Sequence, residues 1–221
     1  MATYLGFAPT DTLKNDIQQL LANLANKSAE PQYHLANRIS AVMTDEIIDC
    51  LLLNLVKSIS HGESSRMINF LGSFLKKTMH VMLKMMLGKA SNSEIDRRTE
   101  FVRARFLNLP NDIPRLGFPM PQDLYQEFQR HFTAIDAGQG KEHTEAMVAC
   151  MLRFADLALV HFYDEFVDKL DLGMILRKGA AVTRAGIHKE NHSVLPKMIR
   201  SLAPTDMKLF ADYFRGMLVE R

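Results

Sequence analysis

An all-α fold, a bundle of about eight or nine helices, is predicted by three observations. Apolar residues recur at three- and four-residue spacing along almost the whole chain, the period of a helix with one buried face. Alternating runs rich in β-branched residues, which would signal half-buried strands, are missing. With 221 residues, of which 47% are hydrophobic, the chain is also long and apolar enough to bury a sizeable core.

The first helix is expected over 11–26, with Leu13, Ile17, Leu20, Leu21 and Leu24 on one face and Thr10 or Asp11 as its cap. A longer helix follows over 33–60, ending before His61-Gly62. Ser64 or Ser65 then opens a helix to about 87, stopped by Gly88. SNSE at 91–94 has the form of a capping box, Ser91 with Glu94, and starts a fourth helix reaching about 107.

The stretch NLPNDIPRLGFPMPQ, 108–122, carries four prolines and cannot continue a helix. It reads either as a crossover within one bundle or as a boundary between two subdomains. At this total length the crossover, and hence a single domain over 1–221, is favoured. Helices resume over 122–136 and, after AGQGK, over 141–170. The remainder, 174–221, reads as shorter helices, the last beginning after Pro204.

Charge narrows function only slightly. Lys and Arg number 27 against 25 Asp and Glu, and a formal charge of +2 predicts neither nucleic-acid nor anionic-membrane binding. The opening MATYLGFAPTDTLK lacks a basic stretch followed by a long apolar run, and no apolar run approaches the roughly 18 residues that span a bilayer. A cytoplasmic protein without a transmembrane segment is therefore expected. Cys50 and Cys150 lie in apolar stretches, where buried and unreactive thiols are the ordinary outcome.

Two acidic stretches stand out. TDEIIDCLL at 44–52 returns in outline as YDEFVDKLD at 163–171. Helical spacing puts Asp45 with Asp49, and Asp164 with Asp168, on common faces, and two such pairs facing one another could hold Mg²⁺ with a diphosphate between them. The arrangement resembles the trans isoprenyl diphosphate synthases, whose aspartate-rich motifs sit on two helices. That resemblance implies a Mg²⁺-dependent enzyme acting on a diphosphate. Glu46 and Asp49 ahead of CLLLNLV also resemble the acidic motif of the all-helical nucleotide pyrophosphohydrolases, which implies a nucleotide substrate. The sequence departs from the first family in having Glu at the second motif position, and from the second in lacking an ExxE motif on the preceding helix. The structural alternative is local ion pairing, with Arg38 on the same face as Asp45 and Asp49.

In GIHKENHSVLP, His188 and His192 have the spacing of two metal ligands on one helical turn. Ser193 with Pro196, however, has the form of a helix start, which would leave both histidines in a loop. The same region is the most basic in the chain. Arg177, Lys178, Arg184 and Lys189 are its candidate phosphate ligands, and RNA binding is the corresponding weaker expectation, since no aromatic residue is interleaved for base stacking.

Within FLKKTMHVMLKMMLG, 74–88, apolar residues surround most of the helix, and Met79, Met82, Met85 and Met86 offer an adaptable surface. They are the candidate interface residues. Arg153 and Asp156, three apart in an otherwise apolar helix, are expected to pair with each other. Serine-hydrolase elbows, phosphate-binding glycine loops and CxxC pairs are missing. The leading expectation is a non-enzymatic protein acting by self-association or by binding a protein partner, with the Mg²⁺-dependent enzyme as the alternative.

Overall fold

The computed structural model describes residues 2–57, 59, 62–107 and 114–220. Eight helices and one small sheet are present among them. The helices are α1 (Asp11–Ala25), α2, α3 (Glu63–Met86), α4 (Asn92–Arg105), α5 (Gln122–Asp136), α6, α7 (Met174–Ser201) and α8 (Pro204–Arg215). Two of them are interrupted. Helix α2 runs over Tyr33–Ile48, widens into a π turn at Asp49–Leu53 and closes with Asn54–Val56. Helix α6 runs over Thr144–Leu159, has a π turn at Val160–Asp164 and closes with Glu165–Asp168. The Asn54 amide reaches back five residues to the Asp49 carbonyl, and the Glu165 amide does the same to Val160.

The caps expected at Thr10 and Ser91 form, whereas neither Ser64 nor Ser65 caps α3, which begins at Glu63 after Gly62 with no side-chain cap. Thr10 Oγ1 accepts from the Leu13 amide at 3.3 Å, and Ser91 and Glu94 make the reciprocal capping box. The expected multi-helix class holds, and two finer expectations are corrected. The chain is not wholly helical: β1 (Thr3–Phe7), β2 (Phe106–Leu107), β3 (Arg115–Met120) and β4 (Leu218–Glu220) form an antiparallel sheet in the order β2-β3-β1-β4. The predicted helix start at 193 is also absent, because α7 continues unbroken through Pro196. Packing of its inner face (Ile187, Val194, Leu195, Met198) outweighs the backbone hydrogen bond that proline removes. Residues 58, 60 and 61, at the expected end of the second helix, and 108–113 of the proline-rich stretch lie outside the described residues.

The sheet gathers the start, middle and end of the chain. Gly6 pairs with Gly117 at its centre. Pro119 is tolerated because β2 pairs with Arg115 and Leu116, and among the described residues no strand lies on that side of Pro119 to need its missing N–H. Phe118, fully buried, carries the sheet into the helices, with its ring 6.1 Å from Phe154, 5.3 Å from Phe162 and 5.0 Å from His161. Phe128, Phe210 and Phe214 extend this aromatic layer to α5 and α8. The buried apolar residues form one cluster across both halves of the chain. Among the described residues one helix, 144–168, is long and apolar enough to cross a membrane by length and composition, and 44% of that window is buried inside the protein.

Candidate functional site

Helices α2, α3, α6 and α7 surround a cavity of about 120 Å³. Its walls follow from the helical periods. From α2 come Thr44, Ile47 and Ile48, then Leu51 and Leu52 inside the π turn. Leu75 and Met79 face it from α3. Phe154, Ala155 and Ala158 line it from α6, followed by Phe162 and Tyr163 of the second π turn. Ile187, Asn191 and Leu195 complete it from α7, one per helical turn.

Both π turns thus border one cavity. An i to i+5 turn inserts one extra residue and leaves backbone groups unpaired, and such turns are common where a helix is shaped for a ligand. The first is braced by the Tyr213 hydroxyl, which donates to the Cys50 carbonyl at 2.5 Å. On the neighbouring helix a Cβ at Gly72 would stand 2.4 Å from Leu53 Cδ2, so glycine lets α3 approach the π turn closely. The second is held through Tyr163, whose hydroxyl donates to the Ala180 carbonyl at 2.7 Å and whose pKa burial pushes up to about 12.

The polar content of the cavity wall is small and specific. With the Tyr163 hydroxyl committed to Ala180, Asn191 and Thr44 supply the rest. Each is 8% exposed, and neither side chain takes part in a hydrogen bond among the described residues. The Asn191 amide, with two donors and an acceptor, keeps access to solvent and can meet either water or a ligand's polar group from the cavity. The only sequence signal for it is a lone amide within the apolar stripe Ala180, Ile187, Val194, Leu195 and Met198.

The predicted acidic sites are placed as follows. Asp45 pairs with His80 (2.9 Å) and Lys76 (3.9 Å), and Asp49 with Lys76 (2.7 Å), all toward α3. Glu46 accepts from the Thr10 amide and hydroxyl at the start of α1. Arg38 turns instead to Asp16 at 2.7 Å, a correction to its expected pairing, because α1 brings a carboxylate closer. Asp164 pairs with Arg184 of α7 at 2.7 Å, and Asp168 is exposed with no ion pair among the described residues. Among the described residues, three potential metal donors come within 4.8 Å of one another only at Asp156, His188 and His192. Arg153 does not pair with Asp156 as expected. It bonds Asp123 (2.6 Å) and Glu127 (2.7 Å) of α5, which frees Asp156 for the two histidines.

The basic set is split by its helix. Arg184 is engaged by Asp164, while Arg177, Lys178 and Lys189 are exposed. The methionines divide too: Met82 and Met86 are buried, Met79 lines the cavity and Met85 is exposed. Burial pushes the Cys150 thiol up to about 12 and that of Cys50 to about 11, with Glu46 and Asp49 adding to the latter, so both stay protonated at neutral pH.

No family model matches this chain, and no curated protein and no solved structure matches it either.

Proposed function

We propose that this protein is a binding protein for a small, largely apolar molecule carrying one hydrogen-bonding group, held between α2, α3, α6 and α7. The observation that carries the reading is the apolar cavity bordered by both π turns with the unpartnered amide of Asn191 in its wall. Engineered apolar cavities of about 150 Å³ take up benzene or xenon, so the space here suits a single aromatic ring or a short branched alkyl group. The apolar walls supply affinity through burial, and one amide supplies orientation.

Thermal unfolding with phenol and with toluene tests this. Both are expected to raise the Tm of the wild type, phenol more strongly. Ala155→Leu, which fills the cavity, is expected to abolish both shifts while the protein stays folded. Asn191→Leu is expected to reduce the preference for phenol about fivefold, the worth of one buried hydrogen bond. Equal shifts in wild type and Ala155→Leu would contradict the proposal.

A second reading, self-association of a cytoplasmic protein, is favoured by where the exposed apolar side chains lie. Phe70, Val81 and Met85 on α3 and Met174, Ile175, Leu176 and Val182 on α7 account for seven of the nine large hydrophobic residues left exposed among the described residues. The proposed occupant is a second copy of the chain, whose matching stripe would cover this one. Sedimentation is expected to give a dimer for the wild type and a monomer for Val81→Glu/Met85→Glu. A monomeric wild type at high concentration would remove this reading. The Mg²⁺–diphosphate reading draws less support, since Asp45 and Asp49 already face Lys76 and Asp164 pairs with Arg184.

A further inference from the structure

We infer that Asp156, His188 and His192 form a binding site for a first-row divalent cation such as Zn²⁺, with one side open to solvent and a neighbouring groove. His188 and His192 lie one turn apart on α7, so their imidazoles project the same way. Their rings stack with centroids 4.1 Å apart and 24° between planes. Both Nε2 atoms face one oxygen: Asp156 Oδ1 lies 2.9 Å from that of His192 and 3.4 Å from that of His188.

These separations are those of ligands on one ion. With metal–ligand bonds of about 2.0–2.1 Å, two donors lie about 2.9 Å apart at a right angle and about 3.4 Å apart at the tetrahedral angle. A hydrogen bond would satisfy Asp156 with one imidazole. The second, stacked ring adds a third donor atom aimed at the same point, and two imidazoles with a carboxylate suit Zn²⁺, Ni²⁺ or Fe²⁺ better than Mg²⁺.

The surroundings accommodate the charge. Arg153, beside the cluster, is balanced by Asp123 and Glu127, and Arg184 by Asp164. All three donor side chains are between 34% and 44% exposed, so water can complete the coordination. A groove of about 470 Å³, lined by Asp156 and His188 with Leu124, Val160, Arg153 and Arg184, opens beside them. That is the form of an open site with three protein ligands, unlike a closed structural one.

The site is separate from the apolar cavity yet linked to it through the chain. Asp156 follows Ala155, His188 follows Ile187 and His192 follows Asn191, and those three neighbours line the cavity. A bound ion would therefore clamp α6 to α7 on the far side of the seam.

Titration of the full chain with Zn²⁺ and with Co²⁺ at neutral pH tests the inference. One equivalent of either ion is expected to bind, Co²⁺ giving visible d–d absorption. Zn²⁺ at a hundredfold excess over its Kd is expected to raise Tm by about 5 °C or more. Asp156→Asn and His188→Asn/His192→Asn are expected to lose the Tm shift and the absorption, with far-UV circular dichroism confirming their fold. His143→Asn, which removes a histidine elsewhere, is expected to keep both, and phenol binding is expected to survive in the double variant. A wild type that binds neither ion would overturn the inference, as would binding that persists in the double variant.

Discussion

Gly117→Ala is expected to destabilise the protein by on the order of 3–5 kcal/mol and to lower Tm by about 10 °C, measured by chemical and thermal unfolding. A Cβ at this position would stand 1.9 Å from the Leu5 carbonyl oxygen and 2.7 Å from the Gly6 Cα. Both obstacles are backbone atoms of the paired strand, so no side-chain rotation relieves the clash. Relief requires β1 and β3 to separate, and these strands hold the start of the chain against its middle. Gly6→Ala is the matched control. Its Cβ would meet first the Cβ of Arg115, at 3.1 Å, an overlap of only a few tenths of an ångström, so a cost of about 1 kcal/mol is expected there. Equal effects of the two substitutions would contradict the strand register.

Glu165→Ala is expected to cost about 2–4 kcal/mol, whereas Arg105→Met should lie within about 1 kcal/mol of the wild type. The Arg105 side chain is 6% exposed, and its Nη2 donates to Glu165 Oε2 at 2.8 Å. Its Nε and Nη1 are buried without partners. Burial already holds the guanidinium pKa below its ordinary value, with Glu165 acting against that shift. Removing Glu165 leaves this cation without its counter-charge. The cost falls toward the lower part of the range for buried pairs because Glu165 itself is 37% exposed and water can enter. Methionine at 105 removes the buried charge and keeps the volume, while Glu165 retains its contact with His161 Nδ1 at 2.6 Å. The double variant should therefore be more stable than Glu165→Ala alone. A double variant no more stable than Glu165→Ala alone would show that the cost at Glu165 does not come from leaving Arg105 without its counter-charge.

The helical part of this fold was legible from periodicity and punctuation. Thr10, the Ser91–Glu94 box, the resumption at 122 and Pro204 all mark helix starts where they were expected, because caps act through local hydrogen bonds that depend on few residues. The sheet was not legible. TYLGF and RLGFPM are short, contain Gly or Pro and bury residues on both faces, so neither alternates. What fixes them is pairing between segments more than a hundred residues apart. The continuity of α7 is hidden for a related reason: Ser193 and Pro196 have the local form of a helix start, which puts His188 and His192 in a loop, and only packing against α3 and α6 carries the helix through. Asp156, their third companion, reads in sequence as the partner of Arg153, because spacing along one helix cannot reveal that Asp123 and Glu127 compete for the same guanidinium. The two acidic stretches were conspicuous in the sequence, yet what the helices that bear them share is a π turn and a wall of the cavity. A widened turn leaves no residue signature, and Asn191 gains its meaning only from the three helices that face it.

Anomalous diffraction from a crystal soaked in 4-iodophenol tests the central claim most directly. One strong iodine peak is expected inside the cavity, against Ala155, Ala158 and Leu52, with the phenol oxygen within hydrogen-bonding distance of the Asn191 amide. Iodine bound only at the outer surface of the bundle, with the cavity walls unchanged, would contradict it.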